Sequence, residues 1–462
     1  MQTPLPVVPG MNHRTERVEC PFLMYWLYTT LLAIGLLVSL PYWLLQGWRH
    51  GKYRAGLGER LGQVPARLGE SSLPAIWVHA VSVGEVLAIV GLVGELRRRF
   101  PQYRVVVSTT TDTGQKLARA RFGEDAVFYF PLDFAFAIRP YLRRLRPELI
   151  VVAETEFWPN FLRLVRASGA RIAVVNARIS DRSWPGYRRW RFFLARALRP
   201  VDLFLAQTEA DRKRLLEIGA PASRIRVSGN LKFDAAPPAP LPIVASLRAS
   251  FRQAGAGPIL VCGSTVEGEE ALLVRAFEVV LASHAHGVML LAPRHPERFQ
   301  EVAQLLEKSS VRFWRRSQWK GEGLAGRVLL LDSIGELASL YALGDLAFVG
   351  GSLVPRGGHN ILEPAQHGIP IIVGEHTENF RDIVESFRSH DAVRIVTPEE
   401  LAPTFLALAA DEAERRLLSQ RATEALGTQI GATQRTLQAL EELLEFQQPI
   451  RERERSRSIP LS

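Results

Sequence analysis

Residues 75–91 read AIWVHAVSVGEVLAIVG. The stretch opens as an apolar, aromatic and β-branched run of strand length, passes through Ser82, Gly84 and Glu85, and continues into the amphipathic pattern GEVLAIVGLVGELRRRF. An unbroken apolar run is the mark of a strand covered on both faces, and a strand feeding directly into an amphipathic helix is the repeating unit of a parallel α/β sheet. The alternation then recurs down the chain. RVVVSTTT (104–111), AVFYFP (126–131), LIVVAETE (149–156), RIAVVNAR (171–178) and DLFLAQT (202–208) read as further strands of a first set, with DFAFAIRPYLRRLR among the intervening helices. A second set follows: PILVCGST (258–265), VMLLAPRH (288–295), RVLLLDS (327–333), LAFVGGS (346–352), IPIIVG (369–374) and AVRIV (392–396). Between the sets lies the Pro-rich stretch DAAPPAPLP, residues 234–242, which reads as a linker.

The expected architecture is therefore two Rossmann-like domains facing a central cleft, with ligands at the carboxyl ends of the strands. The boundaries are a disordered extension 1–20, a membrane anchor 21–48, a first domain 49–233, the linker 234–242, a second domain 243–445 and a disordered basic tail 446–462. A length of 462 residues suits two cores better than one. From Pro21 to Trp48 no residue is charged, which is long enough for a helix to cross the hydrocarbon of a bilayer. Tyr25, Trp26 and Tyr28 at one end and Tyr42, Trp43 and Trp48 at the other read as interfacial belts. Arg49, Lys52 and Arg54 follow, so the positive-inside rule places the remainder in the cytoplasm. Pro41 would kink this helix and let part of it lie in the interface. A net charge of +10 favours an anionic partner without choosing one. Two cysteines, Cys20 and Cys262, give no disulfide framework.

Four times a small polar residue after a strand is followed three positions later by glutamate: Ser82–Glu85, Ser264–Glu267, Ser333–Glu336 and Asn360–Glu363. Each fits a helix capping box, and all four would sit where open α/β sheets bind ligands. Glu85 is the best candidate for a general base. Gly84 lets a substrate approach, and Val81, Val83 and Val86 can desolvate the carboxylate, while the helix N-terminus favours its ionised form. GGSLVPRGGHN (350–360) is a glycine-rich loop able to bring backbone N–H groups to a phosphate, or an ordinary flexible loop. Arg294 at a strand end suits a phosphate or carboxylate, Glu154 and Glu156 end a strand with their side chains expected on one face, and Lys232 lies at the domain junction. No Asp-x-Asp, clustered Cys/His or Walker pattern is present and no G-x-G-x-x-G fingerprint follows the first strand, so no metal or nucleotide cofactor is expected. The scattered histidines, His79, His295, His359 and His367, read as structural.

In order, WVHAVSVGEV, AETEFWPN, GNLKFD, GSTVEGEE, APRHPERF, DSIGEL and GGSLVPRGGHNILEPA resemble the Kdo transferases of Gram-negative lipopolysaccharide synthesis, where Kdo is 3-deoxy-D-manno-octulosonate; the resemblance runs from about Leu27 to about Glu445. It implies a GT-B glycosyltransferase in the inner membrane that moves Kdo from CMP-Kdo to a tetraacylated lipid A precursor, metal-free and with inversion. It places the proton acceptor on Glu85 and transition-state support on Glu156 and Lys232. It places CMP binding on Pro293, Arg294, Ile334, Gly335, Glu336, Asn360, Ile361, Leu362 and Glu363. CMP-Kdo is then a co-substrate, no cofactor is needed, and nucleic acid is not a partner. A UDP-sugar transferase or epimerase, and a membrane-tethered binder of anionic ligands, are the other readings the residues leave open.

Overall fold

The computed structural model describes residues 21–50, 56–69, 71–181, 183–234 and 240–445, without the side chains of 21, 22 and 42–50. The extension 1–20, residues 235–239 of the linker, the tail 446–462 and the side chains of the second aromatic belt and its basic flank lie outside the described residues.

Chain contacts divide the molecule into two compact units. One comprises the chain through Val86, Val93–Val227 and the chain from Leu437; the other comprises Leu87–Leu92 and Ser228–Thr436. The first unit holds a seven-stranded, all-parallel sheet in the order β3-β2-β1-β4-β5-β6-β7. Its strands are β1 Ala75–His79, β2 Arg104–Thr109, β3 Val127–Tyr129, β4 Pro147–Ala153, β5 Arg171–Ala177, β6 Leu203–Ala206 and β7 Ile225–Val227. The second unit holds another parallel sheet of seven, in the order β10-β11-β9-β8-β12-β13-β14. These strands are β8 Ile259–Thr265, β9 Val288–Pro293, β10 Phe313–Arg315, β11 Arg327–Leu330, β12 Leu346–Val349, β13 Ile371–Gly374 and β14 Val393–Val396. All twelve expected strands are present. β7 and β10 went unread because each is a three-residue edge strand with arginine in it, too short and too polar to stand out as an apolar run.

Each sheet has one point where the strand order reverses: between β1 and β4 in the first unit and between β8 and β12 in the second. There the helices leaving adjacent strands go to opposite faces and leave a crevice at the strands' carboxyl ends. β1 is pinned at this point by Trp77, which is fully buried, packs 5.1 Å from the Phe161 ring and 5.2 Å from that of Phe128, and donates from Nε1 to Ser108 Oγ at 2.7 Å. Cys262 is likewise fully buried, in β8, and free.

A helix from Pro21 to His50 precedes the first sheet, with Pro41 inside it. Over Leu23–Pro41 it is long and apolar enough to cross a membrane.

Candidate active site

In the first unit, β1 ends at His79, and the helix Val83–Arg99 begins three residues after Ala80. Ser82 caps it, its Oγ accepting from Glu85 N, and the Glu85 side chain turns back towards Val81 and Ser82. Val81 N donates to Glu85 Oε2 at 2.8 Å and Ser82 Oγ to Oε1 at 2.9 Å. The carboxylate is thus held rigidly and is only 7% exposed. Two opposing influences act on it, and burial wins: the pKa is pushed up to about 7, against the two hydrogen bonds that favour the charged form. Glu154 and Glu156, at the end of β4 across the reversal point, add negative charge that pushes it the same way. Burial and then Glu154 also raise the Glu156 carboxyl. The structure therefore gathers three carboxylates around one crevice. A Cβ placed on Gly84 would meet nothing nearer than Ser82 Oγ at 3.9 Å, so the fold itself does not demand glycine there.

The strand-alternation argument for Glu154 and Glu156 does not hold. β4 stops at Ala153, and Glu154 is in the left-handed region at φ 57°, so these residues belong to a turn rather than a pleat. Their proximity is a product of that turn.

In the second unit the glycine-rich loop is not a free phosphate cradle. Gly351 N donates at 2.7 Å to Glu269 Oε2, and Ser352 N and Leu353 N each donate at 2.9 Å to Oε1. Val266 N adds a fourth bond at 3.0 Å. Glu269, fully buried, has filled the nest with a carboxylate of the chain itself. Gly350 is required because a Cβ there would lie 2.6 Å from Ser264 O and Thr265 Cα. The sequence reading passed over Glu269; GSTVEGEE holds three glutamates, of which Glu267 is exposed and both Glu269 and Glu270 are buried.

The other three expected capping boxes are likewise corrected. Ser264 is in β8 at φ 56°, and the following helix begins at Glu270, so Glu267 caps nothing. Ser333 donates to Glu336 Oε2 at 2.5 Å, yet the short helix Leu337–Leu340 has no side-chain cap. Asn360 Oδ1 accepts from Leu362 N at 3.1 Å, forming a turn ahead of the helix Leu362–Gln366, which also lacks one. Among the described residues, Thr111, Thr208 and Asp411 also cap helices with their side chains.

Beyond the loop, the remaining predicted residues gather at the strand ends. Arg294 follows β9 and is exposed, with its backbone N–H on Thr265 O at 2.9 Å. It lies close enough to Glu363 to favour that carboxylate's charged form and to His359 to oppose that ring's protonation. Burial is the larger influence on both, raising Glu363 and holding His359 down at about 4. His359 Nε2 is buried without a hydrogen-bond partner. Glu336 is fixed on its second oxygen by Arg316 at 2.8 Å, Gly335 adopts φ 89°, and Ile334 is 70% exposed. Pro293, Ile361 and Leu362 are buried and serve as scaffold for these turns. Lys232, in the turn Leu231–Asp234, belongs to the second unit, whereas Glu85 and Glu156 belong to the first. His79 and His367 are structural, as expected. His79 is fully buried, bonds Ser108 Oγ at 3.0 Å, stacks on Phe130 and is held down at about 3 by burial. His367 Nε2 meets Ala338 O at 2.8 Å.

An apolar cavity of about 500 Å³ adjoins the carboxylate turn in the first unit, lined by Leu27 and Leu31 of the N-terminal helix together with Phe157, Tyr187, Trp190 and Phe193. Among the described residues no group of three or more His, Cys, Asp or Glu side chains could hold a metal ion.

Known proteins resemble the chain at two levels. In solved structures, UDP-GlcNAc 2-epimerase from Neisseria meningitidis bound to UDP-GlcNAc matches with a TM-score of 0.53 at 12% identity, over 80% of this chain and 100% of that one. Anabaena Alr3699/HepE in complex with UDP and glucose matches with 0.52 at 15%, over 80% and 99%. These likenesses show the fold, which is of the GT-B class. In sequence, residues 55–235 match the family described as 3-deoxy-D-manno-octulosonic-acid transferase (kdotransferase). The 3-deoxy-D-manno-octulosonic acid transferase of Haemophilus influenzae is 36% identical over 426 residues, which is 90% of this chain and 98% of that one. The enzyme of the same name from Bordetella pertussis is 37% identical over 438 residues, again 90% and 98%. The chain belongs to the 3-deoxy-D-manno-octulosonic acid transferase family and is a glycosyltransferase.

Proposed function

We propose that the protein moves Kdo from CMP-Kdo to a tetraacylated lipid A precursor in lipopolysaccharide biosynthesis, with inversion, without a metal, and at the cytoplasmic face of the inner membrane. The observation that carries this reading is the Glu85 carboxyl, rigidly held and raised to about 7. A group with that value is half ionised near neutral pH and well matched to proton abstraction. Glu85 takes the proton of the acceptor hydroxyl as that oxygen bonds to the anomeric carbon of Kdo. The bond from that carbon to the CMP phosphate oxygen breaks, and its electron pair leaves with CMP. Attack opposite the departing phosphate inverts the centre. Glu156 and Lys232 support the transition state, and the segments Pro293–Arg294, Ile334–Glu336 and Asn360–Glu363 hold CMP-Kdo. In this division Arg294 meets the donor's phosphate or carboxylate, for which its exposed guanidinium beside β9 is suited. The apolar cavity next to the carboxylate turn supports an acceptor with acyl chains.

The test is a transfer assay with CMP-Kdo and lipid A precursor. Turnover is expected to survive EDTA and to be inhibited by added CMP more strongly than by UDP. Inhibition by EDTA would remove the metal-free mechanism, and a preference for UDP would favour a UDP-sugar enzyme. Arg294→Ala is expected to raise the KM for CMP-Kdo roughly 10- to 100-fold, the loss of one charge-assisted contact of about 1.5–3 kcal/mol, with a much smaller change in acceptor KM. Equal effects on both substrates would remove the donor assignment.

A further inference from the structure

The helix Pro21–His50 has the composition of a membrane span, yet its contacts are those of a helix laid along the first unit. Between Met24 and Leu36 the partly covered positions are 24, 25, 28, 29, 32, 33 and 36, a single helical stripe. That stripe carries polar fastenings. Asn160 Nδ2 donates to Thr29 Oγ1 at 2.9 Å, the Tyr28 hydroxyl lies close enough to the Asp133 carboxylate to favour its charged form, and the Arg163 guanidinium lies 5.0 Å from the centre of the Tyr25 ring. Asp133 is itself buried in the folded unit and accepts the backbone N–H groups of Asn160 at 3.0 Å and Phe161 at 2.6 Å. Hydrocarbon is a costly place for such ionisable groups. The opposite stripe is apolar and exposed: Leu27, Leu31, Ile34 and Val38 are 51–76% exposed.

The far end of the helix returns to the same unit. Gly56 packs so closely on Tyr129 that a Cβ there would lie 2.0 Å from the ring. From Thr29, fastened to Asn160, to His50 the helix advances roughly 31 Å. Only residues 51–55 separate His50 from Gly56, and a chain of that length reaches at most roughly 20 Å, against about 30 Å of hydrocarbon. A helix that crossed the bilayer from its fastened end could not bring the chain back.

We propose that this helix does not cross the membrane but lies in its plane as part of the first unit, its bare stripe sunk into the headgroup and acyl boundary of an anionic bilayer. The neighbouring helices Trp184–Arg189 and Arg191–Ala197 extend the same surface. Phe193 packs 6.1 Å from Tyr28 of the long helix, while Trp190 is 65% and Phe192 72% exposed beside exposed Arg188, Arg189 and Arg191. Aromatic rings and arginines side by side are the composition of a surface seated among lipid phosphates.

Nitroxide labels at Leu27→Cys and Val38→Cys in the full chain carrying Cys20→Ser test this; Cys262 is fully buried and stays. Both labelled positions are exposed; Leu27 also lines the apolar cavity, and the depth readout requires no transfer activity. In vesicles of zwitterionic lipid containing a fraction of anionic lipid, accessibility to oxygen and to a water-soluble nickel complex reads each label's depth. The expected result is one shared depth of about 5–10 Å. A difference near 16 Å, the rise of eleven helical residues, overturns the proposal, as does failure of both labels to enter the lipid. The depth measurement involves no sugar transfer, so its outcome is separate from that of the transfer assay.

Discussion

Glu85→Gln is expected to lower Kdo transfer by roughly 10²–10⁴-fold, the usual loss on removing a general base, with little change in donor KM. The pH profile of the unaltered enzyme gives the sharper check. Only the ionised carboxylate accepts a proton, and burial holds this one at about 7. The rate is therefore expected to rise with pH, close to tenfold per unit below about 7, and to level off above it. Because Glu156 contributes negative charge that raises the value, Glu156→Gln is expected to move the inflection to lower pH as well as to slow the reaction. A Glu85→Gln enzyme retaining most of its turnover, or a profile flat between pH 5 and 8, would show that another group takes the proton.

Glu269→Ala is expected to destabilise the second unit by about 4 kcal/mol or more, measured by urea unfolding. The four N–H groups of Val266, Gly351, Ser352 and Leu353 lose their acceptor where no side chain can replace it. Each unsatisfied buried donor costs about 1–3 kcal/mol, so even partial relaxation leaves a large deficit. The same change is expected to raise donor KM, because the loop that Glu269 anchors leads directly into His359, Asn360 and Glu363. Glu269→Gln retains one carbonyl oxygen and presents an amide N–H₂ to donors, so an intermediate loss is expected. A deficit below about 1 kcal/mol for the alanine variant would mean that the loop does not depend on this carboxylate.

Much of this molecule is legible in its residues. Twelve strands announce themselves because parallel strands covered on both faces must be continuously apolar, a pattern that needs no partner to be seen. Ser82 was read correctly as a cap because its bond to Glu85 N closes within four residues of chain. The same logic failed at Ser264, where the backbone turns left-handed under the close approach of β12 and its loop, a constraint imposed by residues eighty positions away. Glu269 was missed for the same reason: its partners are Gly351, Ser352 and Leu353, and no local rule connects them.

The sequence by itself determined the two parallel sheets, the identity of the proton-accepting candidate and the family, since each depends on short patterns read along the chain. Whether the Glu85 carboxyl titrates near neutral pH depended on the balance of burial, two hydrogen bonds and the charges of Glu154 and Glu156, and that balance exists only once β1 and β4 lie side by side. How the apolar N-terminal helix is used depended likewise on Asp133, Asn160 and Arg163, more than a hundred residues downstream. Apolar composition measures a segment's tolerance for hydrocarbon, but the folded contacts at its two ends decide whether it can reach the other side.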